Sequence, residues 1–110
     1  MVRLSLAILT CVALTASTEV RAETHMVGIA SQSCETWTAN RPTSGAGLGL
    51  FYQQWVFGFL SGASYADPSH DPLNGNDAAT ITAWVDQYCQ DNATARIADA
   101  VVAFVRAHRP

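Results

Sequence analysis

The sequence predicts an all-α fold: a small disulfide-stapled bundle of three main helices preceded by a short N-terminal helix. Three observations carry that expectation. Apolar residues recur at helical spacing in three separate runs after residue 47, no convincing strand pattern interrupts them, and two cysteines remain once a leader is set aside. The 110 residues are 49% hydrophobic and 14% charged, too apolar for a disordered chain and too few for two domains. All six basic residues are arginines and the net charge is -3, the wrong sign for a chain that follows phosphate backbones, so nucleic acid is not an expected partner.

Residues 1–22 have the form of a secretory signal peptide. Arg3 precedes the apolar stretch from Leu4 to Ala16, and Val20-Arg21-Ala22 places small residues three and one positions before a cleavage point. That stretch is about 13 residues against the roughly 20 that cross a bilayer, so no membrane span is expected after cleavage. Cys11 follows Ile8-Leu9-Thr10 inside the apolar core, which argues against a lipid anchor. Cleavage removes Cys11 and leaves Cys34 and Cys89. In an oxidising compartment these two are expected to form one disulfide, whose 56-residue loop is worth about 4 kcal/mol by chain-closure entropy. A catalytic thiol is the competing reading, and it needs a nearby base that the sequence does not place.

The elements of residues 23–110, read as a single domain, follow in order. A polar lead runs from Glu23 to Gln32. Ser33 can cap a short helix to Ala39, stopped by Asn40-Arg41-Pro42, and Thr43 to Gly47 form a connector. From Leu48 to Ala66 a central helix is expected, with Leu48, Tyr52, Trp55, Phe59 and Ala63 on one stripe and Phe51 and Val56 beside it. Leu50 and Phe57 fall on the opposite side, which implies burial on two faces, by other helices or by a partner chain. Gly58 and Gly62, one turn apart, leave room for another backbone. A turn-rich loop from Asp67 to Gly75 leads to Asn76-Asp77, an N-cap and first-turn acid for a helix whose apolar face is Ile81, Trp84, Val85 and Tyr88. Asn92 is expected to cap the last helix, from Ala93 to Ala107, with Ile97, Val101, Phe104 and Val105 inward and Arg106, His108 and Arg109 at its negative end.

Chemistry-bearing patterns are sparse. Asp67, His70, Asp71 and Asp77 offer metal-type ligands, but Leu73 breaks the spacing of a calcium loop, and a polar surface turn is the better account. His25, His70 and His108 fall in the lead, a loop and the tail, and no Gly-x-Ser-x-Gly elbow is present. Asp86, Asp91 and Asp99 occupy exposed-type positions, so no catalytic residues, metal or cofactor are expected. Asn92-Ala-Thr94 matches a glycosylation sequon, for which helix capping is the competing role. Trp37, Trp55 and Trp84 are expected in the core, with Arg41 either stacked on Trp37 or paired with Glu35.

Ser33-Cys-Glu-Thr-Trp-Thr-Ala-Asn40, the helical Gln54-Trp-Val-Phe-Gly58, and Asp71-Pro-Leu-Asn-Gly-Asn-Asp-Ala-Ala-Thr-Ile81 leading to Tyr88-Cys-Gln-Asp-Asn92 carry a likeness over residues 33–105. In order and spacing this chain resembles the HdeA/HdeB acid-stress chaperones of the Gram-negative periplasm. The resemblance implies a small all-α, single-disulfide domain, dimeric at neutral pH, that partly unfolds in acid and binds unfolded client proteins through exposed apolar surface. On that analogy Cys34–Cys89 holds the opened chain together, and the central helix, with Leu50, Trp55, Phe57 and Phe59, is the client or partner surface. The chain departs from the pattern in having no lysine and more Trp and Gly in that helix.

Charge arithmetic is compatible with an acid response. Residues 23–110 hold eight carboxylates and four arginines, a formal side-chain charge of -4 that becomes +7 when the acids and three histidines are protonated. Two functional classes are therefore expected: an exported non-enzymatic holdase of HdeA type, or a periplasmic interaction module such as a Tai-type toxin immunity protein.

Overall fold

In a computed structural model, residues 25–41 and 48–109 are described. The leader expected over 1–22 and the whole of the 43–47 connector lie outside them. Among the described residues the fold is all-α: four helices, α1 (Cys34–Ala39), α2 (Leu48–Ala66), α3 (Ala78–Asp91) and α4 (Ile97–Ala107), with 3-10 turns at Gly28–Ser31 and Pro68–His70. The lead expected to be merely polar thus contains a turn of 3-10 helix, because Ala30 and Ile29 pack inward against the core.

Six residues are too few for a helix that stands alone, and α1 exists because both its ends are satisfied from outside. Ser33 Oγ accepts from the Thr36 N–H at 3.2 Å, as expected of the N-cap, while the Cys34 and Glu35 N–H groups donate to the carbonyls of Ala95 at 2.8 Å and Ala93 at 3.1 Å. Asn40 closes the other end by donating its side-chain amide to the Thr36 carbonyl. The Cys34–Cys89 disulfide then joins α1 to α3, with Cα atoms 4.8 Å apart and both cysteines buried.

The bonds that complete α1 also reset the start of α4. The expected helix from Ala93 capped by Asn92 is not formed: the carbonyls of Ala93 and Ala95 are taken by α1, and Ile97 N–H donates to Gln32 O at 2.9 Å. Ser33 and Arg96 make an isolated antiparallel bridge, which keeps residues 93–96 out of the helix. Arg96 becomes the N-cap, its own N–H donating to Asp99 Oδ2 at 2.9 Å, as in the acidic half of a capping box. Asn92 instead ends α3, its side chain donating to the Tyr88 carbonyl at 2.9 Å.

Helix α2 spans the expected residues, but its buried face is rotated. Tyr52, Val56 and Leu60 are the side chains it buries, with Trp55, Phe59 and Ala63 at the margin and Leu48 exposed. A helix that is apolar all round gives periodicity no face to choose; packing on α4 and the Gly28–Ser31 turn chooses it. On the opposite side Leu50 is exposed, while Phe57 is half-buried against the core, so the second face is covered only in part. Gly58 and Gly62 stand on the open side with nothing within 4 Å of where a Cβ would be, so neither admits a neighbouring backbone.

Between α2 and α3 the chain turns through Pro72, which is buried, and Gly75, whose φ of 76° is the left-handed conformation that glycine tolerates. Asp71 Oδ1 accepts the Leu73 N–H at 2.8 Å. Asp77 rather than Asn76 is the N-cap of α3, with Oδ1 accepting from Thr80 N–H at 2.8 Å. Helix α3 buries Ile81, Thr82, Val85 and Cys89, and α4 buries Ile97, Val101, Phe104 and Val105 against it and α2.

Two outcomes test these assignments. Cys34→Ser should lower stability by about 2–5 kcal/mol, a fall of ~10 °C or more in the thermal midpoint by circular dichroism; an unchanged midpoint would show the bridge to be energetically idle. The Thr80 backbone N–H, then its hydroxyl, hold the Asp77 carboxyl below the usual carboxylate range. A carboxyl lowered in the folded state stabilises above its unfolded pKa of about 3.9 and loses that contribution as pH falls through its folded value. Asp77→Ala should therefore lower the thermal midpoint at pH 7, and the gap from wild type should shrink on titration to pH 2.

Candidate functional site

Of the four side chains expected to form a client or partner surface, only Leu50 is well exposed, at 50%. Trp55 is half-buried, stacked on Phe59 with ring centroids 5.6 Å apart, and its indole lies against Gly28. Phe59 turns into a groove between α2 and α4 beside Ala63, Val102 and Val105, with Arg106 and Arg109 at its rim. Phe57 points the other way, into a cleft between α2 and α3 that Arg41, Gln53, Thr82 and Asp86 also line. These residues sit on different sides of α2 and do not make one patch.

A different set of α2 side chains is presented outward: Leu48 at 59% exposure, Phe51 at 66% and Tyr65 at 91%, together with Leu50. Leu48 was expected inward and Phe51 beside the inward stripe. The signal that marks this surface is the absence of charge: none of the 19 residues of α2 is Asp, Glu, Lys or Arg. Solvated helix faces are normally charged; here the exposed apolar side chains gather at the N-terminal end, Leu48, Leu50 and Phe51, and Tyr65 stands apart beyond Gln54, Gly58, Ser61 and Gly62. Among the described residues no helix is long and apolar enough to cross a membrane.

The second notable group is polar. Asp86, expected to be a solvated surface acid, is only about one-third exposed and accepts from two elements at once. Trp37 Nε1–H donates to its Oδ1 at 2.8 Å, and Arg41 Nε–H donates to the same oxygen at 2.7 Å. The Arg41 guanidinium also lies 5.6 Å from the Trp37 ring centroid, so the expected stacking is present and the alternative partner Glu35 is replaced by Asp86. A buried indole N–H needs an acceptor, and sequence spacing alone could not reveal one 49 residues away.

The remaining titratable side chains are spread through the fold. His70 Nδ1 pairs with Asp67 Oδ2 at 3.0 Å on an exposed loop. His108, expected in the tail at the negative end of the last helix, is the C-cap of α4: its ring stacks on Phe104 at 4.0 Å, meets Trp84 edge-on, and donates Nδ1–H to the Phe104 carbonyl. Among the described residues no three His, Cys, Asp or Glu side chains are grouped to hold a metal ion. No protein-family model, curated protein or solved structure matches the chain.

The Asp86 cluster has a checkable weight. Asp86→Ala strands the Trp37 N–H in a partly buried site and should cost about 1–3 kcal/mol by urea unfolding. Asp86→Asn, which keeps an acceptor, should recover part of that loss. Equal stability of wild type and Asp86→Ala would mean the cluster contributes nothing.

Proposed function

We propose that this chain works by binding proteins through the outward face of α2, as an exported holdase of HdeA type that grips partly unfolded clients at low pH. The observation that carries the reading is α2 itself: 19 residues without a charge, already presenting Leu48, Leu50, Phe51 and Tyr65 to solvent. The buried disulfide fits an oxidising compartment, and the leader-like residues 1–22 fit export to the periplasm.

Acid acts on the polar connections. Asp77 and Asp99 cap α3 and α4, Asp71 shapes the turn before α3, and Asp86 joins α1 and Arg41 to α3. Of these only the Asp77 carboxyl is held below the usual range, by the Thr80 backbone N–H and hydroxyl, so its cap is lost as the pH falls through its folded value, while a formal side-chain charge that moves from -4 towards +7 adds mutual repulsion. The disulfide and the apolar core remain, so the chain loosens without dispersing and more apolar surface becomes available to clients. At neutral pH the same face of α2 pairs with a second copy of the chain, which keeps it covered until acid releases it.

A second reading draws on the same observation differently. Because the α2 face is open in the folded state, it is also ready to dock one specific partner at neutral pH, as an immunity protein of the Tai type does with its toxin.

Aggregation of an acid-sensitive client, followed by light scattering at pH 2.5 and pH 7, decides between them. The wild-type chain should suppress aggregation in acid only and sediment as a dimer at pH 7 at tens of micromolar. Leu50→Arg/Phe51→Arg, at exposed positions that cost little stability, should be monomeric and weaker in suppression. No suppression in acid, with tight binding of a single partner at pH 7, would replace the holdase by the immunity reading.

A further inference from the structure

The helices are not held by the same forces. Helices α1, α3 and α4 are joined by the Cys34–Cys89 bond and by backbone hydrogen bonds from Cys34, Glu35 and Ile97 to Ala95, Ala93 and Gln32. The two side-chain bonds on Asp86 add to these. Among the described residues, no hydrogen bond or ion pair connects α2 to any other element. Its one side-chain hydrogen bond, from Ser61 Oγ to the Phe57 carbonyl, stays within the helix. What holds α2 is apolar burial: Tyr52, Val56 and Leu60 enter the core towards α4 and the Gly28–Ser31 turn, with Trp55 and Phe59 at the edge and Phe57 half-buried on the side of α3.

Its own backbone is also weak. Gly58 and Gly62 lie mid-helix, exposed, with open space where a side chain would be, so neither is required by packing and both lower helix propensity. Helix α2 lies wholly inside the loop that the disulfide closes, between Cys34 and Cys89, and is followed by the turn-rich segment 67–77 before α3 begins.

We propose that α2 is a separate opening unit: it unwinds and leaves its groove while α1, α3 and α4 stay clamped, uncovering the apolar side of α4 around Val102 and Val105. Apolar contact alone sets this equilibrium, since α2 carries no acidic or basic side chain other than its tyrosines. In the monomer, opening therefore takes place at neutral pH, before any carboxylate is protonated; pairing with a second copy opposes it, and acid adds to it through the rest of the fold. This deepens the binding reading by naming the element that moves, and it is tested without any client.

Native-state hydrogen exchange of the oxidised chain at pH 7, resolved by residue and run at a concentration where sedimentation shows the monomer, is the experiment. Amides of 56–62 should exchange at least tenfold faster than those of Val85 to Cys89, with a shallower dependence on urea. Trp37→Phe, which weakens the clamp, should speed exchange in α1 and α3 and leave α2 unchanged. Gly58→Ala and Gly62→Ala should each slow α2 exchange by about fivefold. A single exchange rate and urea dependence for α2 and α3, or acceleration of all helices together by Trp37→Phe, would overturn the proposal. Independent opening of α2 alongside failure to suppress aggregation in acid would leave this inference standing and remove the holdase reading.

Discussion

The attachment of α1 to α3 and to the start of α4 is the constraint on which the rest of the structure depends. One disulfide closes the longest loop in the domain, and around it the chain completes backbone hydrogen bonds that neither segment could satisfy alone. The six-residue α1 has no stability of its own. Fixed beside Cys89, it gives Trp37 a buried site and a carboxylate partner, takes up the carbonyls of Ala93 and Ala95, and so decides where α4 begins. The register of α4 in turn places Val102 and Val105 along the groove that receives Phe59 and Ala63 of α2.

That arrangement divides the molecule by type of force. On one side lie covalent and polar connections of defined geometry, several ending on carboxylates. On the other lies a helix held by apolar contact alone. Polar connections through carboxylates are lost by protonation, whereas apolar contacts do not titrate. A fold built this way joins one flank by bonds of fixed direction and leaves the other to burial of apolar surface.

The aromatic residues follow the same division. Trp37 is fully enclosed and has a fixed hydrogen-bond partner, while Trp84 stacks with Tyr88 and meets Phe104 and His108 in an edge-and-face group that ties the end of α4 to α3. Trp55, on α2, rests against a glycine with its indole N–H unpaired among the described residues. Each tryptophan thus reports the character of the element that carries it.

How much was legible follows from which signals are local. Helix type and extent for 48–66, the Ser33 cap, the pairing of Cys34 with Cys89 and the inward face of α4 were all readable, because hydrophobic period, capping chemistry and cysteine count act within a few residues or admit one solution. The role of Asn92, the start of α4, the partner of Trp37 and the buried side of α2 were not. Asn92 suits either end of a helix, and the choice fell to α1, which claimed the carbonyls beyond it from nearly 60 positions earlier in the chain. Asp86 looks like any surface acid until an indole N–H arrives beside it. For α2, apolar on every side, only contact with α4 breaks the symmetry. The linear chain determined the elements and the covalent link between them; three-dimensional packing decided faces and partners, because hydrogen-bond and burial requirements are met by groups whose proximity exists only after the chain has folded.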